Sequence, residues 1–142
     1  MEVKRIKTVG LFGTCNDTTW REDIIKKLPS NFEYFNPVVD DWNEDCIVNE
    51  NKHKEDDDFI VFVITPNMKG VYSIAEVADL SNKRDNVIFC VLYSDVDSNG
   101  GIVTFDEQQK KSFDAVKSLL ANNGVTICNS LNDIIKYLKR TD

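Results

Sequence analysis

Six successive apolar residues, Phe59-Ile60-Val61-Phe62-Val63-Ile64, stand between an acidic run that ends at Asp58 and the polar Thr65. Aromatic and β-branched residues dominate this stretch, and no polar residue alternates with them. Such a run predicts a strand that is buried on both faces, as in a parallel sheet covered by helices. We therefore expect residues 59–64 to form a central strand.

Shorter apolar runs and helical patterns alternate on both sides of this strand. Strands are predicted at residues 8–12, 32–35, 87–92 and 125–128, and helices at 19–28, 43–54, 73–82, 105–121 and 131–139. Residues 93–104 are polar and predict a surface loop. The alternation of strands and helices is typical of βαβ units.

Several helix starts carry capping signals. Thr19 with Glu22, and Ser73 with Glu76, have the spacing of a capping box, and Ser130 is a predicted N-cap. The first helix should end before Pro29. Its apolar face is predicted to contain Trp20, Ile24, Ile25 and Leu28, and that of the long fourth helix Phe113, Val116, Leu119 and Leu120.

Five strands joined by right-handed crossovers predict one α/β domain over residues 1–142, with a flavodoxin-like doubly wound parallel sheet in the order 2-1-3-4-5 and helices on both faces. The strand order reverses between the first and third strands. Ligands of such sheets bind at this switch point, beyond the carboxyl ends of the strands. We expect the site in loops 13–17 and 65–72, flanked by loop 36–42.

Composition excludes several classes of function. The net charge of −7 argues against nucleic acid as a partner, since binding to its backbone depends on Lys and Arg. No apolar run approaches the roughly 20 residues of a membrane span, and no signal sequence is evident, so we expect no membrane partner and a cytoplasmic location. Four separated cysteines, Cys15, Cys46, Cys90 and Cys128, indicate no zinc site, and Cys90 and Cys128 are expected as reduced core residues.

The predicted loops contain carboxylates, hydroxyls, amides and aromatic rings. They lack a Walker loop, a GxGxxG run and an HExxH motif, so no metal and no cofactor is predicted. This chemistry suits a sugar and a base better than phosphoryl transfer. The candidate residues are Gly13, Thr14, Asn16, Asn36, Asp40, Asp41, Trp42, Asn67, Tyr72, Ser73 and Glu76.

Three features resemble the nucleoside 2-deoxyribosyltransferase superfamily, and in particular its short deoxyribosyltransferase-like branch. The segment 70–78 (GVYSIAEVA) follows an aspartate-led strand, the first loop contains Gly13, and Asn36-Pro37 with Asp40-Asp41-Trp42 is similar to the family's NP…DW stretch. The resemblance spans roughly residues 9–92. It departs from many members at Gly70, six residues before Glu76, where they have an aspartate, and at Gly10, where they have a tyrosine.

The resemblance implies cleavage or exchange of an N-glycosidic bond in a nucleoside, nucleotide or related metabolite. Glu76 would be the nucleophile, Asp58 or Asp40 the acid/base or the group that positions the ribose, and the remaining loop residues would bind ligand. We also expect Glu76, Thr14 and Asn36 to face one cavity. Family members share active sites across subunits, which implies a homodimer or larger homo-oligomer.

Other interpretations stay open from the sequence alone. Glu76 could serve only as the N3 residue of its capping box. Asp40 and Asp41 could simply turn the chain, Asp58 could belong to a solvated acidic run, and His53 is expected on the solvated surface. The whole chain could instead be a non-catalytic module that binds a nucleotide-derived ligand.

Overall fold

The computed structural model describes residues 5–15, 18–39 and 41–141, and every statement of structure below concerns those ranges. The strands are β1 (Lys7–Gly13), β2 (Phe32–Phe35), β3 (Phe59–Ile64), β4 (Val87–Val91), β5 (Ser94–Val96), β6 (Ile102–Thr104) and β7 (Thr126–Cys128). The helices are α1 (Trp20–Lys27), α2 (Glu44–Asp56), α3 (Tyr72–Leu80), α4 (Glu107–Asn122) and α5 (Leu131–Arg140).

Within the described ranges, five strands form one parallel sheet in the order β2-β1-β3-β4-β7. Because β7 is the fifth strand of this sheet, the predicted flavodoxin-like order 2-1-3-4-5 is confirmed. The central strand β3 pairs with β1 on one side and β4 on the other, and all six of its residues are buried. The unbroken apolar run of β3 is explained by this position, with helices over both faces.

Alternate residues of the central strands supply two separate cores. One face packs against α1 and α5, whose buried residues include Trp20, Ile24, Ile134 and Leu138. The other face packs against α3 and α4 through Val77, Phe113 and Leu120. Burial of each large apolar side chain contributes about 1.5–3 kcal/mol. Cys90 and Cys128 lie in the first core, which confirms their prediction as core residues.

Two features of the second half differ from the prediction. Residues 93–104 contain an antiparallel hairpin, β5–β6, rather than only a loop. Its strands are three residues long and mostly exposed, so they lack the apolar pattern that would predict them. Leu119 is 53% exposed and does not face the core, because the helical stripe follows Phe113, Val116 and Leu120.

Both predicted capping boxes are wrong, although Ser130 caps α5 as expected. Thr19 precedes α1, but its side chain accepts no hydrogen bond from the helix backbone. Helix α3 begins at Tyr72 with Val71 as its N-cap, so Ser73 lies inside the first turn. The capping box that does form joins Asp106 and Gln109 at the start of α4.

His53 was expected on the solvated surface, but it is partly buried, with 32% of its side chain exposed. Its ring stacks on Phe35 with centroids 3.8 Å apart, and its Nδ1 lies 2.9 Å from Asp57 Oδ1. Asp57 is 4% exposed, and its second oxygen, Oδ2, has no hydrogen-bond partner among the described residues. Burial raises the pKa of Asp57, and the hydrogen bond with His53 opposes that shift.

No helix in the described part of the chain is long and apolar enough to cross a lipid bilayer.

Candidate active site

The carboxyl ends of β1 and β3 are held unusually close together at Gly13. This residue has φ of +122°, and a Cβ atom there would lie 2.0 Å from the carbonyl oxygen of Val63. The next residue fastens the two strand ends: Thr14 N–H donates to Val63 O, and Thr65 N–H donates to Thr14 Oγ1, both at 3.0 Å. The sequence therefore needs glycine at position 13 to form this corner.

A buried arginine on helix α1 donates hydrogen bonds to the same corner. Arg21 of α1 is 4% exposed and donates to the carbonyl oxygens of Leu11, Gly13 and Thr14. Its guanidinium also lies 3.7 Å from Cys15 Sγ. Burial lowers the pKa of Arg21, and the neighbouring Cys15 opposes this effect. Arg21 satisfies backbone oxygens that β1 leaves unpaired as it ends.

A small cavity, here called the edge cleft, opens at this corner. Its volume is about 180 Å³. Its lining residues come from the loops after β1 and β3 and from the start of α3: Gly13, Thr14, Cys15, Ile64, Met68, Lys69, Gly70, Tyr72 and Ser73. The edge cleft lies at the switch point of the sheet, where ligands of doubly wound folds bind.

A larger cavity, here called the helix groove, lies between α2 and α3 and has a volume of about 610 Å³. Its lining residues are Asn51, Lys54, Glu55, Tyr72, Ala75, Glu76, Asp79, Leu80, Lys83 and Arg84. Tyr72 lines both cavities and is 74% exposed. The two cavities are therefore neighbours, and one aromatic ring stands at their junction.

Glu76 contacts a cation across the helix groove. Because α3 begins at Tyr72, Glu76 lies beyond the first turn and is not the N3 residue of a capping box. Its Oε2 instead accepts a hydrogen bond from Lys54 Nζ of α2. The side chains of Lys54 and Glu76 are 11% and 17% exposed, and Lys54 Nζ lies 4.9 Å from the centroid of the Phe12 ring. The helix-capping interpretation of Glu76 is thus wrong.

A second carboxylate, Glu50, feels the same charges. Burial raises the pKa of Glu50 above that of an ordinary glutamate, while the Lys54 ammonium opposes this shift. The negative charge of Glu76 raises the pKa further, and Arg21 lowers it. Glu50, Lys54, Glu76 and Arg21 therefore form one electrostatic cluster that joins α1, α2 and α3.

The structure does not bring Asp58 to Glu76. Asp58 precedes the first residue of β3, at the amino end of the sheet, and accepts hydrogen bonds from Thr8 N and Oγ1 and from Arg5. It lines a separate cavity of about 270 Å³ together with Arg5, Lys7 and Asn86. A residue that leads a parallel strand lies at the opposite edge of the sheet from the start of the helix that follows that strand.

The other predicted residues are spread more widely. Asn36 Oδ1 accepts from Val38 N–H at 3.0 Å, and Asn67 Nδ2 donates to Val96 O at 2.8 Å. Asp41 and Trp42 are exposed. None of these four lines the edge cleft or the helix groove. Asn16 and Asp40 lie outside the described residues.

The expectation that Glu76, Thr14 and Asn36 face one cavity is therefore wrong. Glu76 lines the helix groove, Thr14 lines the edge cleft, and Asn36 lines neither. In the loop after β2, the Asn36 side chain accepts a hydrogen bond from the backbone N–H of Val38 and so stabilises a local turn. The site consists mainly of α2, α3 and the ends of β1 and β3.

Sequence reasoning missed three of the charged residues gathered here: Arg21, Glu50 and Lys54. A signal existed for two of them, because Glu50 and Lys54 are four residues apart on one helix and the glutamate comes first, the favourable orientation for an ion pair. Arg21 precedes Ile24, Ile25 and Leu28 by three, four and seven residues, so helical periodicity places it on the apolar face of α1. It was missed because arginine is mostly an exposed residue. Among the described residues, no three His, Cys, Asp or Glu side chains are grouped closely enough to hold a metal ion.

Comparison with known proteins places these residues in a family. A protein-family model described as "Nucleoside 2-deoxyribosyltransferase like" matches residues 6–93, more than half of the 142 residues. The match runs from β1 through β4 and includes Gly13, Thr14, Tyr72 and Glu76. No curated protein matches the chain. The chain belongs to the nucleoside 2-deoxyribosyltransferase-like family.

Proposed function

We propose that this protein cleaves or exchanges the N-glycosidic bond of a nucleoside, nucleotide or related metabolite, with Glu76 as the nucleophile. The observation that carries the proposal is the position of the Glu76 carboxylate. It lies on the wall of a groove of about 610 Å³, held by Lys54 rather than used as a helix cap. Family membership supports chemistry of this class, and Glu76 lies within the matched residues.

The proposed reaction has two steps. In the first, a Glu76 oxygen bonds to the anomeric carbon, the carbon–nitrogen bond breaks, and its electron pair leaves with the base. In the second, water or another base attacks the same carbon and releases Glu76. The Lys54 ammonium fixes the carboxylate in one orientation, and a fixed near-attack geometry lowers the barrier.

The neighbouring cavities divide the ligand between them in this proposal. The helix groove receives the sugar next to Glu76, and the edge cleft receives the other end of the ligand through contacts with Gly13, Thr14 and Ser73. Tyr72 stands at the junction with its ring largely exposed. Stacking of a base on an aromatic ring of this kind is worth about 1–3 kcal/mol.

The test is base release from a panel of nucleosides, deoxynucleotides and NAD, followed by chromatography. We expect the wild-type protein to release base from at least one compound and Glu76→Gln to lose that activity, because an amide is a far poorer nucleophile. The largely buried Lys54 loses its charged partner, so the melting temperature of Glu76→Gln should fall while its circular dichroism spectrum matches that of the wild type. Glu107→Gln, an exposed residue of α4, is the matched control and should keep full activity. Near-normal turnover by Glu76→Gln would disprove the nucleophile assignment.

A second candidate is a module that binds a nucleotide-derived ligand without turnover. Gly70 favours this non-catalytic candidate, because many family members have an aspartate at this position. A Cβ atom at Gly70 would meet no other atom within 4 Å. The carboxylate that those members place before the nucleophile is thus missing. A compound that raises the melting temperature but never loses its base would select this candidate, since ligand bound only to the folded state must stabilise it.

We further propose a homo-oligomer in which a second copy covers the apolar groove between α3 and α4. This groove has a volume of about 600 Å³ and is lined by Val71, which is 70% exposed, and by Met68, Ile74 and Phe113. A copy seated there would lie next to Tyr72 and the proposed site. Light scattering should give a mass of at least twice 16.2 kDa, and a monomer would contradict the proposal.

A further inference from the structure

Helix α2, which carries Lys54, has no buried apolar residue. Among the described residues of this helix Lys54 alone is buried, and Ile47 and Val48 are 41% and 69% exposed. Most helices in proteins are stabilised by the packing of an apolar face, and α2 lacks such a face. Its position therefore depends on contacts near its C-terminal end, such as the stacking of His53 on Phe35 of β2.

Arg84 supplies two further contacts to this end of α2 from the turn after α3. Its Nη1 donates a hydrogen bond to Lys54 O, and its Nη2 donates to Asp57 O. Lys54 O is one of the carbonyl groups that a helix end leaves unpaired, because the N–H of Asp58, which would bond to it if the helix continued, donates to Thr8 Oγ1. A planar guanidinium can bind two oxygens at once in a fixed geometry. Arg84 thus ties the end of α2 to the end of α3.

The contact between Lys54 and Glu76 is a second link between the same two helices. Lys54 takes part in both links: its carbonyl oxygen accepts from Arg84, and its Nζ donates to Glu76 Oε2. Arg84, Lys54 and Glu76 all line the helix groove. A shift of the last turn of α2 away from α3 would therefore withdraw the ammonium from the Glu76 carboxylate and widen the groove.

We propose that Arg84 is a positioning residue of this site, which holds the last turn of α2 so that the Lys54 ammonium stays in contact with the Glu76 carboxylate. Arg84 acts through Lys54 and not on the substrate. The carboxylate that attacks the anomeric carbon is thereby kept in one orientation, and a fixed near-attack geometry lowers the barrier. This assignment rests on the proposed function of Glu76.

The first test measures kcat and KM with a compound from which the wild-type protein releases base. Arg84→Met removes both hydrogen bonds to α2, and we expect kcat to fall roughly 10–100-fold, since a misplacement of about 1 Å can cost about 10²-fold in rate. KM should change by less than about threefold, because the groups that contact the substrate are kept. Arg84→Lys keeps the charge but not the planar fork and should give an intermediate kcat. Arg140→Met, which removes an exposed arginine of α5, is the control and should match the wild type.

A double-mutant cycle separates positioning from general destabilisation. In a Lys54→Met background, Arg84→Met should lower kcat by less than about threefold, because the group that Arg84 positions is already absent. Two losses that multiply would show that Arg84 does not act through Lys54 and would overturn the proposal. If Arg84→Met does not fold, Arg84→Lys takes its place in the cycle.

A second measurement needs no turnover. Acetic anhydride at a limiting concentration acetylates exposed lysine amines, and mass spectrometry of the digested protein gives the ratio of acetylation at Lys54 to that at exposed Lys52 of the same helix. Lys54 is 9% exposed, so this ratio should be low in the wild type and should rise at least about threefold in Arg84→Met, where the last turn of α2 opens. Ile134→Val destabilises the fold through the opposite core and should leave the ratio unchanged.

The outcomes separate the two proposals. If Glu76→Gln is inactive while Arg84→Met keeps a normal kcat or leaves Lys54 as protected as in the wild type, Arg84 is not a positioning residue although the nucleophile stands. If Glu76→Gln is active, or no compound loses its base, the proposed function fails and the role of Arg84 in the reaction falls with it.

Discussion

Replacing Gly13 by alanine should destabilise the fold severely, because two separate costs meet at this residue. Its φ of +122° lies where residues with a Cβ are strained, at about 1–3 kcal/mol. The new Cβ would also lie 2.0 Å from the Val63 carbonyl oxygen, a backbone atom that cannot rotate away. Forcing the strands apart adds about 1–3 kcal/mol, as overpacked cores do.

The combined loss of about 2–6 kcal/mol corresponds to a fall in melting temperature of roughly 6–18 °C, taking about 3 °C per kcal/mol for a domain of this size. Thermal unfolding followed by circular dichroism measures this directly. Gly70→Ala is the control: its Cβ would meet nothing within 4 Å and its φ is not positive, so it should stay within about 1 kcal/mol of the wild type. Equal melting temperatures for the two variants would refute the strand-corner account.

Three further predictions concern charge and thiol chemistry. Lys54→Met keeps an apolar stem but removes the ammonium that contacts the proposed nucleophile. Loss of a charge-assisted hydrogen bond worth about 1.5–3 kcal/mol should lower kcat/KM by roughly 10–150-fold. Unchanged kinetics would contradict the proposed role of Lys54. Exposed Cys15 should react with a thiol reagent in the native state, whereas Cys90 and Cys128, whose pKa values burial raises to about 12 and about 11, should react only after unfolding, as quenched mass spectrometry would show. Burial raises the pKa of Asp57 above its unfolded value, so the stability that Asp57 contributes is lost as pH rises through the folded pKa. The melting temperature of Asp57→Asn relative to that of the wild type should therefore increase from pH 3 to pH 7. A constant difference between the two would contradict this prediction.

The fold was predictable because its signals are local. The apolar run of β3 and the alternation of strands and helices are enough to give the sheet order, since crossover handedness leaves few alternatives. The hairpin β5–β6 escaped prediction because its short strands are exposed and carry no apolar pattern. The start of α3 was misplaced because a serine three residues before Glu76 imitates a capping signal that the backbone does not use.

The candidate site was only partly predictable. Glu76, Tyr72 and the loop after β1 were expected at the carboxyl edge from strand order and from resemblance to the family. The edge cleft lies there, whereas the groove that Glu76 lines extends along α2 and α3 toward the amino edge. The contact of Glu76 with Lys54 was not expected, because the two residues lie on different helices and are 22 residues apart in sequence. Asp58 was expected near the site from its place in a motif, and a motif does not say which edge of the sheet a residue occupies.

The most direct test of the central claim is to trap the proposed intermediate. With a 2-fluoro-substituted nucleoside, the glycosyl-enzyme bond breaks down slowly, so the covalent adduct accumulates. Intact-protein mass spectrometry detects this adduct. We predict a covalent sugar adduct that peptide mapping places on Glu76 and that is absent from Glu76→Gln. An adduct on another residue, or base release by the wild type without any adduct, would contradict the account.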